Sequence, residues 1–139
     1  MIRAVLDPGV LIAGALSGTG APAALLRWLE NGGFDLIVCP HLLNELRRVL
    51  AYPKIRQRIS EEQAAGFLET IQLISLNADD PEEVPSVCRD PNDDYLFALA
   101  EEQADVLVSG DNDVLDVENP SVRVLSPAGL AAILERRWN

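Results

Sequence analysis

The strongest constraint on this chain is a rhythm. Apolar runs only long enough for strands alternate with longer helical patterns. Ile2 to Leu6 reads as a short buried strand, stopped at once by Asp7-Pro8-Gly9. Val10 to Leu16 is an apolar turn or short helix, and Gly18 to Gly20 is a loop. Pro22 fits the first turn of a helix reaching about Glu30, where Asn31-Gly32-Gly33 ends it. Asp35 to Val38 is a second strand. Pro40 opens a helix to about Leu50, in which Leu42, Leu43, Leu46, Val49 and Leu50 keep helical spacing. Ala51-Tyr52-Pro53 ends it. Ser60 and Gln63 read as a capping box for a helix to about Ile71. Ile71 to Leu76 is expected to close as a short third strand, followed by an acidic loop from Asn77 to Pro85. Asp90-Pro91-Asn92 starts another helix, which ends near Gln103. Ala104 to Ser109 is the fourth strand. Gly110 to Asn119 is a turn-rich connection with one helical turn at Val114 to Val117. Val122 to Leu125 is the fifth strand, and Ser126-Pro127 starts a final helix ending near Arg137. This alternation predicts an α/β domain with a parallel sheet covered by helices on both faces. The 139 residues suit a single domain with a real core.

In such a sheet, ligands bind beyond the C-terminal strand ends, where strand order reverses. Asp7 directly follows the first strand and Asp111 the fourth. Glu45 lies one turn into the helix after the second strand. Asp94 lies in the first turn of the helix before the fourth. All four can point to one end of the sheet, and Asp90, Asp93 and Asp113 are neighbours that enlarge the cluster. Gathered carboxylates repel unless compensated. A hard divalent cation compensates them, and an all-oxygen ligand set favours Mg²⁺ or Mn²⁺ over zinc. The implied chemistry is metal-dependent phosphodiester hydrolysis, with Ser109 placed to orient water or phosphate. Each carboxylate also has a plainer use. Asp7 fits as a cap, Asp94 suits a helix N-terminus, and Glu45 can face water opposite the leucines.

The net charge of -11, from 22 acidic and 11 basic side chains, argues against nucleic-acid binding through bulk positive charge. It leaves room for a metal-bridged RNA substrate or a basic protein partner. Lys54, Arg56 and Arg58 form a small basic run, and Arg47, Arg48 and Arg89 are further candidates for RNA phosphate contacts; a solvated surface is the plainer reading. Cys39 and Cys88 make no CxxC pair or disulfide framework, which favours an intracellular, cytoplasmic protein. The N-terminal segment lacks a signal-peptide pattern, and its glycines and prolines make it a poor membrane span. His41, the single histidine, stands four residues before Glu45 and reads first as a helix-start residue. Trp28, Tyr52, Phe67, Tyr95 and Trp138 read as core or interface residues, Trp138 being the best interface candidate. Gly18-Thr19-Gly20 is too sparse for a phosphate loop.

These blocks resemble PIN-domain proteins, especially the prokaryotic group related to the VapC toxins of toxin–antitoxin pairs. VLDPGVLIAGALSGTGAPAALLRWLENG is similar to that group's N-terminal segment. CPHLLNELRRVLAYPKIRQRIS is similar to its second block, RDPNDDYLFALAEEQADVLVSGDNDVL to its third, and VRVLSPAGLAAIL to its close. The resemblance spans nearly the whole chain. It implies a three-layer fold with a parallel five-stranded sheet in the order 3-2-1-4-5. It implies a Mg²⁺- or Mn²⁺-dependent endoribonuclease, a toxin with a cognate antitoxin, and a homodimer. The family's acidic positions fall on Asp7, Glu45, Asp94 and Asp111, with Ser109 in the hydroxyl place of the Ser/Thr-x-Asp turn. One motif departs. The family reads Asp-Thr-Asn-Val where this chain has Asp7-Pro8-Gly9-Val10. Gly9 cannot supply the asparagine's hydrogen bonds, and Pro8 removes a backbone donor. The alternative is therefore a catalytically weak or inactive PIN-fold interaction module. A flap-nuclease relative lacks room for its helical arch, and a phosphoaspartate receiver needs a lysine after its last strand, whereas Lys54 is the one lysine here.

Overall fold

The computed structural model describes residues 1–138. The element order is β1 (Arg3–Leu6), α1 (Pro8–Leu16), α2 (Ala21–Glu30), β2 (Asp35–Val38), α3 (Pro40–Leu50), α4 (Pro53–Arg56), α5 (Glu61–Ile74) and β3 (Leu76–Asn77). A 3-10 turn at Pro91–Asp93 then leads into α6 (Asp94–Gln103), β4 (Val106–Val108), α7 (Asn112–Leu115), β5 (Arg123–Leu125) and α8 (Pro127–Trp138). The five strands form one parallel sheet in the order β3-β2-β1-β4-β5, with helices on both faces. This is the three-layer arrangement expected from the sequence. Ala4, Val5 and Leu6 of β1 are fully buried, as are Leu107 and Val108 beside them. A central parallel strand covered on both faces has to be apolar throughout, and β1 is, apart from Arg3 at its exposed start.

Local chemistry sets the helix starts. Asp7 caps α1 and Pro8 occupies a first-turn position, where its missing N–H costs nothing. Helix α5 has the full capping box: Ser60 Oγ accepts from Gln63 N, and Gln63 Oε1 accepts from Ser60 N. Helix α3 buries Leu42, Leu43, Leu46 and Leu50 and leaves His41, Asn44, Arg47 and Arg48 exposed. Glu45 lies half-buried at the border of the two faces.

Several expectations need correction. The third strand is not Ile71 to Leu76. Helix α5 runs on to Ile74, and only Leu76 and Asn77 pair, against Ile37 and Val38. The helical turn in the connection after β4 begins at Asn112 rather than Val114, because Asp111 caps it by accepting from Asp113 N. The first helix begins at Pro8 rather than Val10, because Asp7 caps it by accepting from Gly9 N, and the stop at Tyr52-Pro53 is followed by the short helix α4. Of the core or interface places read for Tyr52, the structure removes the core: the ring is exposed, with its hydroxyl accepting from Arg48 Nη1 at 2.8 Å. Trp138 is half-exposed, and its Nε1 donates to Gly33 O at 2.9 Å.

Helices α1 and α2 cross at 93°. Among the described residues no single helix is long and apolar enough to cross a membrane, although this bent pair has the length and composition together. The crossing depends on Gly14. A Cβ there would stand 2.7 Å from Leu26 Cδ1 and 2.9 Å from the Pro22 carbonyl oxygen. The leucine can turn away, but the carbonyl cannot without moving α2. Gly14→Ala is expected to destabilise the fold by about 1–3 kcal/mol, read as a lower denaturant midpoint. An unchanged midpoint would mean that the crossing tolerates a wider spacing.

Candidate metal centre

The strand order reverses at β1, which has β2 on one side and β4 on the other. The crevice expected there lies beyond Leu6 and Val108. Asp7 N donates to Val108 O at 2.9 Å, which joins the two strand ends. Asp7 Oδ1 accepts from Gly9 N at 3.0 Å, and Oδ2 from Ser109 Oγ at 2.8 Å. Ser109 is fully buried and also accepts from Asp111 N at 3.0 Å. One hydroxyl, donating once and accepting once, thus ties the loop after β1 to the loop after β4.

Glu45 approaches from α3. Its Oε2 accepts a short hydrogen bond from the Tyr95 hydroxyl of α6. Burial raises the Tyr95 phenol pKa, and the hydrogen bond to Glu45 and its charge raise it further. The phenol therefore stays a donor and fixes the carboxylate. The His41 ring packs edge-on against Tyr95, with centroids 4.1 Å apart, and His41 N donates to Asp80 Oδ1 at 2.9 Å. Tyr95 had the sequence signature of a packing residue, so its polar link to Glu45 was not foreseen.

The adjacent Asp93 and Asp94 are used differently. Asp94 is only 5% exposed. Its Oδ1 accepts from Val87 N at 3.0 Å and Cys88 N at 2.6 Å, tying the preceding loop to the start of α6. Asp93 is half-buried, and its pKa is pushed up to about 7. Burial is the largest cause, followed by the charges of Asp7, Asp90, Asp111 and Glu45. Those charges place Asp93 in one electrostatic neighbourhood with three of the four carboxylates singled out from the sequence. Asp90 caps the 3-10 turn through Asn92 N, and Asp113 contributes its backbone N–H to Asp111. Cys88 lies beside Asp94; burial first, and then the Asp94 charge, raise its thiol pKa to about 12. Burial likewise raises that of Cys39, at the end of β2, to about 11, so both thiols stay protonated near neutral pH.

The basic candidates divide by position. Arg47 and Arg48 are exposed on α3 beside Glu45, with Arg47 Nη1 donating to Asn44 Oδ1 at 2.9 Å. Arg58 Nη2 donates to Leu16 O at 3.1 Å and so pins the end of α1. Arg56 Nη1 is buried without a hydrogen-bond partner among the described residues. Lys54 and Arg89 are exposed.

The donor chemistry suits a hard cation. Asp7, Glu45, Asp93 and Asp111 offer only oxygen, and a carboxylate oxygen bonded once retains a lone pair for a metal. The carboxylates are not drawn into a shell: among the described residues no group of three or more His, Cys, Asp or Glu side chains stands ready to hold a metal ion.

The family model described as "PIN domain" matches residues 3–113. The chain belongs to the PIN-domain family. This PIN domain is 24% identical over 119 residues to the uncharacterized protein MJ1680 of Methanocaldococcus jannaschii, an overlap of 85% of this chain and 76% of the relative. PAE2754 from Pyrobaculum aerophilum shares the fold with a TM-score of 0.66 at 17% identity, covering 97% of this chain and 90% of that one. VapBC2 from Rickettsia felis, solved bound to a DNA fragment from its promoter, shares it with a TM-score of 0.62 at 12% identity. That match covers 90% of this chain and 98% of the other. At such identities the solved structures speak for the fold alone.

Proposed function

We propose that this PIN domain is a weak, divalent-metal-dependent phosphodiesterase acting on RNA. The supporting observation is the Ser109 hydroxyl that ties Asp7, beyond β1, to the loop of Asp111, beyond β4, at the strand-order reversal, with the charges of Asp7, Asp111 and Glu45 acting on nearby Asp93. On this reading Asp7, Glu45, Asp93 and Asp111 hold Mg²⁺ or Mn²⁺, and Asp94 serves the fold by holding Val87 and Cys88. When bound, the metal supplies Lewis acidity: it eases deprotonation of the attacking water and stabilises the leaving oxygen. The protein's part is positioning. Ser109 fixes Asp7 relative to Asp111, and Tyr95 fixes Glu45. The carboxylates repel one another in the metal-free chain, so part of the binding energy goes into gathering them. Weak affinity follows.

A second reading is a catalytically inactive interaction module on the same fold. Two observations favour it: the carboxylates are not arranged as a ready metal shell, and Gly9 brings no side-chain donor to Asp7. Under either reading the proposed setting is cytoplasmic, with a small basic antitoxin as protein partner and a homodimer as the assembly. The acidic net charge supports the basic partner.

Two measurements separate the readings. The first is the melting temperature with and without Mn²⁺; a ligand that binds only the folded chain at 100 times its Kd adds about 2.7 kcal/mol. The second is Mn²⁺-dependent cleavage of mixed single-stranded and structured RNAs by the native chain and by Asp7→Asn. A millimolar Mn²⁺ response together with slow cleavage abolished by Asp7→Asn is the expected result. A metal response without cleavage would favour the module. No response and no cleavage would remove the enzyme reading altogether.

A further inference from the structure

We propose that the cleft beside Glu45 is a nucleotide subsite reading the base next to the scissile phosphate of a single RNA strand, an inference that rests on the phosphodiesterase reading above. The cleft holds about 410 Å³ and is lined by His41, Asn44, Glu45, Arg48 and Asn92. That is within the range of small-ligand sites. Glu45 is common to the cleft and to the proposed ligand set, which puts the cleft next to the place proposed for the phosphate.

The lining departs from the acidic character of the chain. Two carboxamides, an imidazole and a guanidinium surround one carboxylate. Asn44 has a set orientation: its Oδ1 accepts from Arg47 Nη1 at 2.9 Å, so its amide NH₂ remains the group to donate. Asn92 is held from behind, its backbone N bonded to Asp90 Oδ1 at 3.0 Å, while its side chain lines the cleft. Carboxamides combine donor and acceptor in the pattern that reads the edges of an unstacked base. Arg48 is held by the Tyr52 hydroxyl at 2.8 Å and supplies the positive charge that a phosphodiester chain needs in an acidic protein. Beyond His41 and Asn92 lies a second cavity of about 370 Å³, lined also by Asp80, Pro81, Val84, Pro91 and Tyr95. The Tyr95 ring and the two prolines there suit the face of a base rather than its edge.

The test measures binding of fluorescein-labelled hexamers of A, C, G and U to the full chain carrying Asp111→Asn, in Mn²⁺, so that cleavage does not confuse the reading. One hexamer is expected to bind more tightly than the others. On that background Asn44→Ala and Asn92→Ala are each expected to cost about tenfold for that hexamer and little for the rest. Arg48→Ala is expected to weaken all four and lower the salt dependence. The positions are exposed, and melting curves check that the variants fold. Asparagine variants that keep the native ranking of the four RNAs would overturn the subsite, as would absence of RNA binding. Cleavage by the native chain, measured on the same hexamers, is a separate readout. Cleavage with an unaltered base ranking in the variants sinks the subsite and leaves the enzyme. A base preference erased by the variants without any cleavage keeps the cleft as a base-reading site and removes both the enzyme and its place beside a scissile phosphate.

Discussion

Asp93→Asn is expected to abolish RNA cleavage, by at least about 100-fold, while making the metal-free protein more stable at pH 8. Active sites commonly trade stability for function, and the two outcomes together are the signature of that trade at Asp93. The loss comes from removing one charge of the proposed ligand set. The gain comes from removing the same charge from a crowd of four others when no cation is present. Asp94→Asn provides the contrast. It keeps an oxygen for Val87 N and Cys88 N, and is expected to retain cleavage with a small loss of stability. If Asp94→Asn abolishes cleavage and Asp93→Asn leaves it intact, the two roles have been exchanged.

The stability gain depends on pH in a fixed direction. The Asp93 carboxyl titrates near 7 in the folded chain against an ordinary 3.8. Between those values the folded state binds more protons than the unfolded one, so stability falls as pH rises through that window. The contribution of the protonated carboxyl is full below about 3.8 and gone above about 7. Asparagine mimics the neutral form at every pH. Asp93→Asn should therefore match the native chain near pH 4 and exceed it at pH 8. After a discount for solvent screening at this half-exposed group, the gain is about 1 kcal/mol, or about 4 °C in melting temperature. Saturating Mn²⁺ should reverse the order, because the native chain then keeps a ligand that the variant lacks. A variant equally stable at both pH values would mean that Asp93 does not meet the charges of Asp7, Glu45 and Asp111.

The Asp93–Asp94 pair also marks the limit of what the sequence could reveal. Strand β1, the Pro40 helix start and the Ser60 capping box follow from local chemistry, and the structure has them where the residues indicate. Asp7 and Ser109 could be located because a strand end fixes the residue after it. Two adjacent carboxylates at a helix start are harder. One ends the 3-10 turn and the other begins α6, and what distinguishes them is the Val87–Cys88 loop bonded to Asp94, which has no periodic signal. The third strand was misread for a related reason. Residues 71–76 are apolar in both the strand and helix patterns, and the two-residue β3 owes its pairing to β2 rather than to its own sequence. Likewise Tyr95 bears the pattern of a core residue, and only α3 and α6 packed together show its hydroxyl reaching Glu45.

Restoring the family's first motif should have the largest effect in the opposite direction. Pro8→Thr with Gly9→Asn is expected to raise Mn²⁺ affinity by about 10- to 100-fold, the range over which groups supporting a ligand act, and to speed cleavage accordingly. The backbone admits the change. Gly9 is not among the glycines with positive φ, and a Cβ built on it would meet Asp7 Oδ1 at 3.6 Å, an ordinary contact. An asparagine therefore begins beside the first carboxylate, with an amide donor to offset charge among the acidic groups that act on Asp93. Position 8 should work against stability. Buried Pro8 starts α1 with its φ already set, and replacing it returns freedom to the unfolded chain, about 0.4–1 kcal/mol. Gly9→Asn alone separates the two contributions. Calorimetric Mn²⁺ titration and cleavage rates should both improve with that single change, while the melting temperature without metal should fall only when Pro8 is replaced. A folded Gly9→Asn chain with native metal affinity would show that the lost amide is not what makes the centre weak. The like-charge crowding around Asp93 would then be left as the cause.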